Sequence, residues 1–130
     1  MKHIEVVAAI IIRDGKVFAA QRNAGGETGL KWEFPGGKTE AGEGHEAALA
    51  RELRVELGIV AAFGDRLLSE AHQDRDFSLT MHCHLATIVS GAIHLAEHLD
   101  ARWLGSHEID SVDWAPADLP VVERVRGMLG

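Results

Sequence analysis

The sequence predicts an α+β domain built around a mixed β-sheet, and three observations carry that expectation. Apolar, extended runs occupy residues 4–12, 17–22, 59–72 and 77–89. An amphipathic stretch at 45–57 has helical period, and a second one closes the chain at 118–129. Strands and helices come without the regular strand–helix alternation that a parallel βαβ sheet requires. The 130 residues read as one domain, 1–130, long enough to bury a core.

Each element has its own signal. "IEVVAAIII" meets the Asp14-Gly15 turn and continues as "VFAAQR", a hairpin signature. "NAGGETGLK", residues 23–31, is a glycine-rich loop. A short extended "WEF" runs into Pro35, Gly36 and Gly37, which are expected to end regular structure. The helix at 45–57 places Leu49, Ala50, Leu53 and Leu57 on one stripe facing the core, with Gly58 as a left-handed cap. Strands at 59–72 and 77–89 are joined by the polar turn "QDRD", and "ARWLG" is a further short strand. "SHEIDSV" reads as a turn or short helix, and Trp32, Trp103 and Trp114 as packing residues.

Composition narrows the function. Thirteen Lys and Arg against twenty Asp and Glu give a net charge of −7, which argues against duplex nucleic acid as a partner. An acidic protein that handles phosphates needs cations as intermediaries. Cys83 stands alone, so no intrachain disulfide forms and a reducing cytoplasm is the natural setting. The apolar run from Val6 to Ile12 is too short to span a membrane. Of the eight histidines, His82 and His84 share a strand face while Cys83 points away, so spacing defines no tetrahedral zinc set.

The helix poses the chemical question. Glu52 and Glu56 stand one turn apart on a face away from the leucine stripe, and like charges at that spacing weaken a helix. A hard divalent cation, Mg²⁺ or Mn²⁺, would offset the repulsion. The alternative is a solvated face paired with Arg51 or Arg54. Gly36 and Gly37, just upstream, allow backbone to approach a ligand closely.

The residues from Gly37 onward resemble the Nudix box: glycine, five residues, glutamate, seven residues, then Arg-Glu-aliphatic-x-Glu-Glu-x-Gly-aliphatic. Gly37, Glu43, Arg51, Glu52, Leu53, Glu56, Gly58 and Ile59 fall at the matching positions, and Val55 replaces the first glutamate of the pair. "WEFPGGK", "AEHLDARW" and "WAPADLP" extend the likeness to the MutT branch of the family, nearest to bacterial CTP and oxidised-nucleotide pyrophosphohydrolases.

The resemblance implies a Nudix-type α/β/α sandwich and a nucleoside triphosphate substrate, an oxidised or modified dNTP or a (d)CTP-like nucleotide, split by water into monophosphate and pyrophosphate. That chemistry belongs to nucleotide pool sanitation. Carried over, Gly36 (through its carbonyl), Glu52, Glu56 and Glu97 would be the metal ligands, with Glu52 the general base. Arg51 would orient the glutamates, Glu43 would support them, and Gly37, Arg22 and Asp118 would meet the substrate.

Alternatives remain for several of these residues. Glu97 also reads as a loop carboxylate beside His98, and Arg22 as a surface ion-pair partner. Asp118, just before Leu119 and Pro120, also fits a helix N-cap. As an ionised base-reader it would accept hydrogen bonds only, suiting an exocyclic amine. Val55 leaves open a site with fewer metals, a site in which Glu97 compensates, or a catalytically weakened nucleotide-binding module; a Nudix hydrolase of another nucleoside diphosphate derivative is a separate alternative. The chain is expected to act as a monomer or homodimer.

Overall fold

A computed structural model describes residues 2–130. Strands β1 (Lys2–Arg13) and β2 (Lys16–Arg22) form the expected hairpin, turned through Asp14 and Gly15 in left-handed conformation (φ 54° and 76°). Two positive φ values in a two-residue turn match the right-handed twist of the flanking strands. Two short strands follow, β3 (Trp32–Glu33) and β4 (Gly36–Lys38), then helix α1 (His45–Leu57). The long pair β5 (Val60–Gln73) and β6 (Phe77–Ser90), strand β7 (His98–Leu104), a 3-10 turn at Pro116–Asp118 and helix α2 (Leu119–Arg126) complete the chain.

The sheet is mixed. Its main order is β3-β2-β1-β6-β5, with β4 also paired to β1 and β7 to β2. β1 and β6 run parallel from Lys2 opposite Phe77 to Ile11 opposite Ala86, while β5 and β6 are antiparallel. Alternation along β1 splits the core into two layers. Val7, Ala9 and Ile11 pack with Leu49, Leu53 and Leu57 of α1, whereas Ala8 and Ile10 pack with Val121, Val122 and Val125 of α2. One helix on each face of the sheet is the α/β/α sandwich that the resemblance implies.

Four details depart from the sequence-based expectation. Ala48, not Ala50, completes the buried stripe of α1; Ala50 is only half-buried. Pro35-Gly36-Gly37 does not end regular structure, because Gly36–Lys38 pairs with β1, Gly36 opposite Ala8 and Gly37 opposite Val7. β7 begins at His98, earlier than "ARWLG" indicates, and the segment after it is a series of turns. α2 ends at Arg126.

Gly58 caps α1 as anticipated, at φ 70°, and the N–H of Ile59 reaches back to the Leu53 carbonyl at 3.4 Å. That six-residue closure turns the chain sharply into β5. Among the described residues no helix is long and apolar enough to cross a membrane.

Candidate active site

Close backbone packing sets the site. A Cβ at Gly36 would lie 1.9 Å from the Val7 carbonyl oxygen, so only glycine lets β4 pair this tightly with β1. A Cβ at Gly37 would lie 2.7 Å from the carboxylate carbon of Glu52. The glycine pair thus holds α1 against the sheet edge and leaves room for a carboxylate beside the backbone.

Arg51 organises the acidic side chains. Its Nε and Nη2 donate to the two oxygens of Glu43 at 3.0 and 2.9 Å, its Nη1 to Glu52 Oε1 at 2.7 Å, and Nη2 also to the Lys38 carbonyl. A planar guanidinium is suited to such a fork. The Arg51 bonds hold the Glu43 carboxyl down at about 2, and the two glutamates push the guanidinium up in turn. Arg51 and Glu43 therefore form a scaffold behind Glu52.

Glu56 has the opposite environment. It is 5% exposed, and its Oε2 has no hydrogen-bond partner. Burial first, then a hydrogen bond shared with Glu52 and the charges of Glu52, Glu33 and Glu97, push its carboxyl up to about 9. A buried carboxylate with an open oxygen and like-charged neighbours is poorly stable as an anion until a cation joins it.

The donors around it are hard oxygens, which fit Mg²⁺ or Mn²⁺ rather than a thiophilic metal. Among the described residues no three His, Cys, Asp or Glu side chains already converge in ligating geometry. Mutual repulsion is sufficient reason, since adjacent carboxylates close up only around positive charge.

In front of Glu56 opens a cavity of about 650 Å³, walled by Gly36, Gly37, Glu56, Glu97, Arg22 and Asp118 among others. Six of the residues anticipated from sequence thus meet on one cavity, while Glu52 stands just behind Gly37, with Arg51 and Glu43 behind it. Arg22 is not free: its Nη1 donates to Glu33 Oε1 at 2.8 Å. Glu97 is exposed in the bend before β7, and its carbonyl accepts from Asn23 Nδ2 at 2.8 Å.

Asp118 corrects two expectations. It precedes α2 but its side chain makes no capping bond. Instead its Oδ1 accepts from the Phe34 backbone N–H at 3.1 Å, and burial pushes the carboxyl up to about 8. Burial thus favours the protonated carboxyl, which can donate as well as accept, unlike the ionised acceptor expected from sequence.

The fold favours that proton, so Asp118 contributes stability fully present below pH 3.8 and lost as pH rises through about 8. Asn keeps an acceptor for Phe34 and cannot ionise. Asp118→Asn is expected to match the wild-type Tm near pH 4 and to exceed it by several degrees at pH 8, where the wild type has lost this contribution. Thermal melts at the two pH values check this.

Sequence reasoning missed Glu33 and His98. Glu33 accepts from Arg22 on one oxygen, and its other oxygen lies 2.9 Å from His98 Nε2. The only available signal was a lone carboxylate between Trp32 and Phe34. Three other histidines follow a different course: His45 stacks on His82 at 4.2 Å and lies 3.3 Å from His84, outside the cavity. Val55 is 55% exposed and does not line the cavity.

Comparison with known proteins places the chain in a class. A NUDIX domain model matches residues 1–125. A CTP pyrophosphohydrolase of Escherichia coli is 42% identical over 123 residues, covering 95% of this chain and 91% of its own. An 8-oxo-dGTP diphosphatase of Haemophilus influenzae is 34% identical over 131 residues, covering 95% and 93%. The solution structure of the Escherichia coli ORF135 protein superposes with a TM-score of 0.83 at 39% identity, covering 98% of this chain and 91% of that one. The chain belongs to the Nudix family, and it is a pyrophosphohydrolase of that family.

Proposed function

We propose that this protein hydrolyses nucleoside triphosphates to monophosphate and pyrophosphate with Mg²⁺ or Mn²⁺, acting on (d)CTP-like or oxidised deoxynucleotides in the cytoplasm. The observation that carries the reading is the partnerless Oε2 of buried Glu56 on the cavity wall beside Gly36 and Gly37. The names of the similar proteins support both substrate classes.

Glu56, Glu52, Glu97 and the Gly36 carbonyl would hold the cation, which when bound neutralises phosphate charge and lowers the pKa of coordinated water. Arg22 and Lys38 are the positive side chains on the cavity wall and would meet the phosphates. Asp118, far from Glu56 in sequence and buried, would face the base and offer it a donor. Glu52 would take the proton from the attacking water as its oxygen bonds to phosphorus and the bridging P–O bond breaks. Arg51 would keep that carboxylate oriented.

The test is pyrophosphate release from dCTP, a 5-substituted dCTP, CTP and 8-oxo-dGTP with Mg²⁺ and with Mn²⁺, for the wild type and Val55→Glu. Turnover of at least one nucleotide by both is expected, because both keep Glu52, Glu56 and the Arg51–Glu43 scaffold. Silence of both across the panel would sink the proposal. Activity confined to Val55→Glu would favour the second reading, a nucleotide-binding module, which rests on the apolar side chain exposed where the family pattern has glutamate.

A further inference from the structure

Two orphaned polar atoms belong to neighbouring side chains on the cavity wall. Neither Glu56 Oε2 nor His98 Nδ1 has a hydrogen-bond partner, and His98 Nε2 lies 3.7 Å from that Glu56 oxygen. The same Nε2 is 2.9 Å from Glu33 Oε2. A hydrogen bond exists at the shorter distance and not at the longer one. Glu33 therefore has a donor on each oxygen, Arg22 Nη1 at 2.8 Å and His98 Nε2, while Glu56 has an oxygen left open.

The register of the sheet fixes this division. β2 pairs with β3 through Ala20 opposite Glu33, and with β7 through Arg22 opposite His98, with an irregularity between Gln21 and Arg22. Ala20 faces the α1 layer, so its cross-strand partner Glu33 does too, toward Glu56 of α1. The His98 side chain is 4% exposed and sits between the two carboxylates.

We propose that His98 is a positioning residue for the cation site: its Nε2–H holds Glu33 toward Arg22 and out of the ligand set, leaving Glu56 Oε2 open. The inference rests on the reading of Glu56 as a cation ligand. Without the imidazole donor only Arg22 still holds Glu33, whose released oxygen can turn toward buried Glu56 and distort the ligand set. Outer groups that orient ligands in this way typically cost at least tenfold in metal affinity or activity when removed.

The experiment is direct Mn²⁺ titration, read by the loss of the free-ion electron paramagnetic resonance signal, without nucleotide. It compares wild type with Glu56→Gln, His98→Ala, His98→Gln, Glu33→Gln and the double variant His98→Ala/Glu33→Gln. His98→Ala is expected to bind Mn²⁺ about tenfold more weakly, and His98→Gln, which keeps an N–H donor, to recover most of the loss. In the Glu33→Gln background His98→Ala should add little, because the carboxylate to be restrained is gone.

Wild-type affinity in His98→Ala, equal losses in the Ala and Gln variants, or full additivity in the double variant would each overturn the proposal. Wild-type affinity in Glu56→Gln would instead remove the cation-site reading beneath it. Because no turnover is measured, a substrate panel that stays silent bears on the hydrolase proposal alone.

Discussion

Glu52→Gln is expected to lower kcat by about a thousandfold while leaving the fold intact, the scale of loss typical of a general base or metal-bound carboxylate. Glutamine keeps the size that fits beside Gly37, and its amide oxygen can still accept from Arg51 Nη1, which now bonds Glu52 at 2.7 Å. Glu43 retains its own two-pronged contact with Arg51, so the scaffold survives. What disappears is the negative charge and the ability to accept a proton. Steady-state kinetics on the best nucleotide, with a melting curve as control, measure this. A variant of unchanged kcat would move the base to another carboxylate, with Glu97 on the cavity wall next in line.

Gly36→Ala is expected to prevent stable folding, a larger effect on stability than any change among the carboxylates. Its methyl group would sit 1.9 Å from the Val7 carbonyl oxygen and 2.8 Å from the Ala8 Cα, both backbone atoms of a central strand. Neither can rotate away, so β4 must leave β1 or β1 must shift. A cost of about 4 kcal/mol or more is a substantial share of the roughly 5–15 kcal/mol that holds a domain together. Loss of soluble protein, or a midpoint in urea reduced by more than half, checks it. Gly37→Ala meets only the end of the Glu52 side chain, which can move. That variant should fold and lose activity instead.

The hairpin, α1 with its Gly58 cap and the two long strands were legible because their signals are local: turn residues, a leucine every fourth position, alternation along a strand. The glutamates were legible for the same reason, since one turn of helix fixes which of them are neighbours. β4 was not, because two glycines carry no strand preference and their extended form is imposed by β1. Asp118 misled in an instructive way. The local grammar of Asp before Leu-Pro reads as a cap, yet the carboxyl is taken by the Phe34 N–H from a distant part of the chain. Glu33 and His98 meet only through the register on either side of β2, which no window of sequence contains.

The parallel pairing of β1 with β6 has a consequence for the order in which the molecule can be made. Lys2 waits for Phe77 and Ile11 for Ala86, so this ladder closes a loop that contains both the hairpin partner and the whole of α1. Long-range pairings of this kind slow folding, because loop entropy is lost before the contacts are gained. The wall of the cavity formed by Leu79 and Met81 arrives with β6, and Asp118 later still. A growing chain that has emerged only as far as Ile59 already carries the entire loop-and-helix motif, while Leu79, Met81 and Asp118 are still missing from the cavity wall.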